Sequence, residues 1–394
     1  MTLRILHIFA PNFKQRFGGP IFDWQYAFAH WDNSEVMHLV LDYDQGQPRP
    51  ALDAFDFPIS SSQYLTSRQE RATWSWILHR DLNTYKGQYD LLHFHLLWWG
   101  GLLAARWSKR HHIPTLYQSV LLGSDTPGPI RNQKFGKLKA KLLRNFSAII
   151  PISEALSEDY YANDYPKEQV ITLMNSVDSD LFHPVNSLEE KFILRQKHGL
   201  PLDATILLFT GSIIPRKGLD ILIDAFIEAH QKHPELFLIL IGPKNKGENP
   251  SIDMDFIREL ETKISETSVQ DKVFFTGLVN DRSKLSDYYR ASDIFIFPSR
   301  REGLGNVVLE AMASGLPVVV SDLPVLQSVI SHQENGIMVP IGDVAGFSKA
   351  IITLKENPAA SAKLGQNARA YVCQHHSFAQ WQSDLTKIYQ DLLA

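Results

Sequence analysis

The chain has 394 residues, 44% of them hydrophobic and 21% charged, with a formal net charge of −4. That length exceeds what one hydrophobic core ordinarily serves and predicts two domains. The slight acidic balance argues against a nucleic-acid binder, which carries a clear basic excess.

The first apolar run, 3–9, is too short for a secretory h-region and contains His7, so it reads as a buried strand. Gly18-Gly19-Pro20 follows, with Pro20 suited to the first position of a helix and the glycines to a strand-to-helix turn. Such a pair contacts a phosphate or acceptor, or is merely a tight turn. Further apolar runs fall at 36–41 and 90–94. In Asp90-Leu91-Leu92-His93-Phe94-His95 a strand puts both histidines on one face, with His95 at the C-terminal end where ligands of α/β sheets bind. His93 reads as structural. Trp98 and Trp99 just beyond offer a sugar platform or ordinary packing. No stretch is long and apolar enough to span a bilayer. The nearest, 91–105, holds His93 and His95. A cytoplasmic protein is expected.

Runs at 114–117 and 147–151 flank a basic stretch, 131–146, with Arg131, Lys134, Lys137, Lys139, Lys141 and Arg144 among apolar residues. It reads either as an amphipathic helix on an anionic membrane or as a solvated helix with ordinary core residues. His183-Pro184 closes an ordered segment, and 186–190 reads as a linker entering a capped helix. The expected domains are therefore 1–185 and 186–372, with a C-terminal helix in 373–394.

The second half carries runs at 205–210, 236–241, 272–276, 293–297 and 316–320. Short runs separated by helix-length segments predict parallel strands with helical crossovers, and hence two doubly wound α/β domains. After 205–210 comes a loop with Arg216 and Lys217, then an amphipathic helix from Leu219. Cations at the start of a helix oppose its dipole. A diphosphate would justify them; otherwise they are solvated surface charges.

The most informative stretch is Pro298-Ser299-Arg300-Arg301-Glu302-Gly303-Leu304-Gly305-Asn306-Val307-Val308-Leu309-Glu310. A strand, a glycine turn and a helix starting near Asn306 make an anion site from backbone N–H groups and the helix dipole. Glu302 and Glu310 frame it. A carboxylate there accepts sugar hydroxyls, or simply complements the dipole. Near the end, Phe378, Trp381, Leu385, Ile388, Tyr389 and Leu392 form one helical stripe. The single cysteine, Cys373, excludes an internal disulfide; beside His375 and His376 it suits a plain helical surface better than a metal site.

These motifs resemble family four of the retaining glycosyltransferases, which have the GT-B fold of two Rossmann-like domains facing across a cleft. Glu302 to Glu310 is similar to that family's paired-glutamate motif, Arg216-Lys217-Gly218 to its diphosphate loop, and Asn175-Ser176-Val177-Asp178 with Phe182 and Pro184 to the segment ending its first domain. Gly18-Gly19 and His95 match its glycine loop and active-site histidine. The resemblance implies that Lys217 and Arg216 neutralise a donor diphosphate, and that backbone at Gly303, Leu304, Gly305, Asn306 and Val307 cradles phosphate. It further implies that Glu310 holds ribose hydroxyls, that Glu302 and His95 hold the transferred sugar, and that backbone near 277–279 reads the base. It implies retention by a front-face route without metal or other cofactor. The donor would be a UDP-sugar, or a GDP-sugar as second choice, and the acceptor a glycan or a lipid-linked molecule. The C-terminal helix would return to the first domain, and 131–146 would give peripheral contact with the inner face of a membrane. Departures are Gly211-Ser212 for the usual Gly-Arg, Ser176 for a glycine, and Gln327 for a glutamate; no histidine stands in Pro114 to Val120. A nucleotide-sugar 2-epimerase and a non-catalytic sugar-nucleotide binder are the competing readings.

Overall fold

The computed structural model describes residues 2–9, 27, 31, 35–41, 68–95, 97–249 and 252–394. They form two compact units, one running to Met174 and taking in Ala379–Ala394, the other Asn175–Phe378. The first holds β1 (Leu3–Ile8), β2 (Val36–Leu41), β3 (Leu91–Phe94), β4 (Thr115–Ser119) and β5 (Ala148–Pro151), all parallel in the order β2-β1-β3-β4-β5. The second holds β6 (Thr205–Thr210), β7 (Leu236–Ile241), β8 (Val273–Gly277), β9 (Ile294–Phe297), β10 (Val318–Ser321) and β11 (Ile337–Val339), all parallel in the order β11-β10-β9-β6-β7-β8.

The sequence reading places β1 to β10 with every end within two residues. The reason is burial. A strand covered by helices on both faces is a near-continuous apolar run, and Leu207, Leu208 and Phe209 are all fully buried. The helix Leu219–Lys232 turns Leu222, Ile223 and Phe226 onto that sheet. β11 was not anticipated. It is three residues long with only Val339 buried, too short to carry a pattern.

Strand order decides where ligands are met. In the second sheet the chain leaves β6 towards β7 and β8, then returns to the other side of β6 as β9. That reversal opens a crevice at the carboxyl ends of β6 and β9. In the first sheet the reversal lies between β1 and β3, so His95, just past β3, stands beside it.

The division between units falls earlier than residue 185. Asn175 Nδ2 donates to Asn306 Oδ1 at 2.8 Å, Val177 N to His376 O at 2.9 Å, and Ser286 Oγ to Leu181 O at 2.6 Å. These bonds tie 175–181 into the second unit. The basic stretch is not one helix over 131–146. Helices Pro127–Arg131 and Gly136–Leu143 are separated by a turn in which Phe135 has φ of 59°. Leu142 and Leu143 enter the core, whereas Phe135 and Leu138 are exposed. The helix Phe378–Leu393 buries Trp381, Leu385, Ile388 and Tyr389, the heart of its stripe, and Tyr389 Oη lies 2.8 Å from Nδ1 of His93 in the first unit. Cys373 is exposed on the helix Pro358–His375, while His376 is buried with Nδ1 2.8 Å from the Asn175 carbonyl. Among the described residues, no helix is long and apolar enough to cross a membrane.

Candidate active site

The crevice of the second sheet is built from the loops after β6 and β9. Backbone pairing ties them together: Arg300 N donates to Arg216 O at 2.8 Å, and the Arg216 guanidinium donates to Arg301 O. Arg300 also pairs with Asp220 at 2.6 Å. Between the loops stands Gly218, whose φ of 72° favours glycine and whose Cβ would lie 2.0 Å from Pro298 O. No side chain fits there.

Three donors converge on one oxygen of Glu302. Lys217 Nζ lies 2.7 Å from Oε1, Arg216 Nη1 lies 3.1 Å from it, and Ser299 Oγ donates to the same atom. No described residue bonds Oε2. Burial pushes the Glu302 carboxyl up, but the Lys217 and Arg216 charges and the hydrogen bonds outweigh it and hold it below the usual range. Burial lowers the Lys217 ammonium, a fall that Glu302 opposes. Lys217 Nζ also sits over the Phe297 ring, 4.8 Å from its centroid.

Glu310 is held in the same manner. Its Oε2 accepts from Tyr289 Oη at 2.9 Å, and Oε1 has no described partner. Burial raises this carboxyl above its ordinary value, with Arg282 and Tyr289 pulling the other way. Gly305, at φ of 84°, begins the helix Asn306–Ala313 without a capping side chain. Each glutamate is thus anchored through one oxygen, with no described partner on the other, and Glu302 stands beside two cations.

The structure therefore brings together Arg216, Lys217, Glu302, Gly303, Leu304, Gly305, Asn306, Val307 and Glu310 at the crevice of one unit. His95 belongs to the other unit. It is 2% exposed, with Nδ1 3.2 Å from Gln118 Oε1 and Nε2 2.8 Å from His7 Nδ1. Both ring nitrogens are engaged inside the first unit. Gly18 and Gly19 lie outside the described residues. Sequence reasoning missed Ser299 and Tyr289, which orient the two glutamates. Ser299 is adjacent to the motif and was open to suspicion, whereas Tyr289 arrives from another helix and left no local signal. Trp98 and Trp99 pack against the first unit's core.

On the first unit, Arg131, Lys137, Ala140, Lys141 and Arg144 line a cavity of about 380 Å³. Arg144 is anchored there by the Asn163 and Asp164 carbonyls and by the Tyr165 ring, 4.3 Å away.

Residues 190–371 match the family Glycosyl transferases group 1, and 23–176 match the Glycosyl transferase 4-like domain. The chain is a group 1 glycosyltransferase. It is 28% identical over 309 residues to the D-inositol 3-phosphate glycosyltransferase of Xylanimonas cellulosilytica, covering 75% of this chain and 70% of that one. Among solved structures, HepE of Anabaena in complex with UDP and glucose superposes with a TM-score of 0.79 at 20% identity, covering 98% of this chain and 99% of the other. Sucrose-phosphate synthase from Thermosynechococcus elongatus gives 0.77 at 22% identity, covering 99% of each. Both confirm the GT-B fold.

Proposed function

We propose that this glycosyltransferase moves a hexose-type sugar from a nucleoside diphosphate donor to a glycan or lipid-linked acceptor, with retention at the anomeric carbon and without a metal ion. The observation that carries the proposal is the shared anchoring of Glu302 and Glu310. Each carboxylate is fixed through one oxygen and offers the other to a ligand, Glu302 beside Lys217 and Arg216, and Glu310 within the helix that starts at Asn306. The cations neutralise the diphosphate, the N–H groups of Gly303 to Val307 receive its oxygens, Glu310 takes ribose hydroxyls and Glu302 a sugar hydroxyl. Charge on the leaving diphosphate is thereby stabilised as the glycosidic bond breaks. UDP is the first choice of nucleotide and GDP the second, UDP being the nucleotide bound by HepE. His95 belongs to the first unit and is not part of this set. The basic cavity with exposed Phe135 and Leu138 is the acceptor-side feature that suits an anionic surface.

The test is a screen of UDP-, GDP- and ADP-sugars against the metal-stripped protein, following slow donor hydrolysis by NMR. An α-configured sugar released from an α-linked donor is expected, with at least a 100-fold loss in Glu302→Gln. Release of the β anomer, formation of a 2-epimer of the donor, or a Glu302→Gln rate equal to the native one would contradict the proposal.

A further inference from the structure

Four histidines stand on one face of the first sheet. His7 on β1 is opposite His93 on β3, His95 lies two residues on, and His38 comes from β2. All are buried. Their rings crowd together: His93 and His95 stack at 4.3 Å between centroids, and His7 lies 5.2 Å from His93 and 5.1 Å from His95. The reading of Glu302 and Glu310 makes no use of them.

Three of the rings have a further hydrogen-bond partner. His93 Nδ1 lies 2.8 Å from Tyr389 Oη, His95 Nδ1 lies 3.2 Å from Gln118 Oε1, and His7 Nε2 lies 2.8 Å from His38 Nδ1. Each of the three rings is thus oriented by an outer partner through one nitrogen. One nitrogen of each of the three lies within 4.8 Å of the other two. This is how proteins prepare imidazole ligands: the outer hydrogen bond sets the ring's orientation and tautomer, and the second nitrogen meets the metal.

We propose that His7, His93 and His95 form a binding site for a divalent first-row metal ion, zinc foremost, in the first unit. The ligands would be His7 Nδ1, His93 Nε2 and His95 Nε2, with Tyr389, Gln118 and His38 as the orienting partners. Three imidazoles are a familiar zinc set. Tetrahedral zinc with Zn–N bonds of about 2.0–2.1 Å holds its ligands about 3.4 Å apart. The 2.8 Å contact between His7 and His95 must then open slightly and the widest pair close. The ion would pin β1, β3 and, through Tyr389, the C-terminal helix.

The experiment strips the full-length protein with a chelator and titrates it with Zn²⁺ against a chromophoric competitor, then repeats the titration with Co²⁺ and records its d–d absorption. One ion per chain is expected, with binding weakened at least tenfold in His7→Gln and in His93→Gln and unchanged in Cys373→Ser and His375→Gln. X-ray absorption of the zinc-loaded native protein should show imidazole nitrogens and no sulfur, a result that does not depend on any variant folding. No stoichiometric binding by the native chain would overturn the proposal. So would binding that survives both histidine substitutions, or that is lost with Cys373 or His375.

Discussion

Two carboxylates a short distance apart in sequence meet opposite fates at the crevice. Burial raises both. At Glu302 the Lys217 and Arg216 charges reverse the shift, while at Glu310 Arg282 and the tyrosine do not. Asp125, in the turn after β4, shows burial winning elsewhere. It accepts from Val120 N at 2.8 Å and Leu121 N at 3.0 Å, yet burial lifts it to about 6. A carboxyl raised on folding holds its proton more tightly folded than unfolded, so its contribution to stability falls as pH rises between about 4 and 6. Asp125→Asn removes that dependence. Relative to the native chain it is expected to gain up to about 3 kcal/mol between pH 4 and pH 7. Urea unfolding at the two pH values checks this, and parallel curves would refute it. At this scale Arg216, Lys217, Glu302 and Glu310 were legible because each lies in a continuous stretch with a strand, a glycine and a helix start. Ser299 and Tyr289 acquire their meaning only from where the chain folds back. The engagement of both His95 nitrogens was hidden for the same reason: His7 and Gln118 are brought to it by strand order.

The elements that form the crevice depend on one position without a side chain. Gly218 has φ of 72°, and its missing Cβ makes room for Pro298 O between the β6 and β9 loops. Gly218→Ala is expected to cost at least about 2 kcal/mol, from the left-handed backbone and the clash together. It should also weaken donor binding at least tenfold, because Arg216 and Lys217 are displaced from Glu302. Calorimetric unfolding and a donor titration of the same variant check both parts; unchanged affinity would show that the loops do not need this contact. Strands were legible as apolar runs because both their faces are covered. The break at 132–135 was not, since a periodic basic pattern continues across it and only the left-handed Phe135 reveals the turn.

At the level of the whole molecule, two parallel sheets of different strand order were inferred only as a class. The number of doubly wound units follows from counting runs. The orders β2-β1-β3-β4-β5 and β11-β10-β9-β6-β7-β8 follow from which crossover lies on which side, and that is not written in any one segment. The C-terminal stripe was readable as a helix, and the structure assigns it to the first unit. Ending the chain at Ser377 removes the buried Trp381, Leu385, Ile388 and Tyr389. At about 1.5–3 kcal/mol for each large apolar side chain, calorimetry should show the first unit's transition lowered or lost. The second unit's transition should stay in place. A first transition left where it was would mean the helix contributes nothing to that unit.

The loops after β6 and β9 are proposed to hold the donor. The most direct measurement is calorimetric titration of the nucleoside diphosphate selected by the donor screen into the native protein, Lys217→Met and Glu310→Gln. A single site is expected, with affinity falling at least tenfold in each variant, Lys217→Met through the phosphates and Glu310→Gln through the ribose. Native affinity in both variants, with the fold intact, would put the nucleotide elsewhere and contradict the assignment.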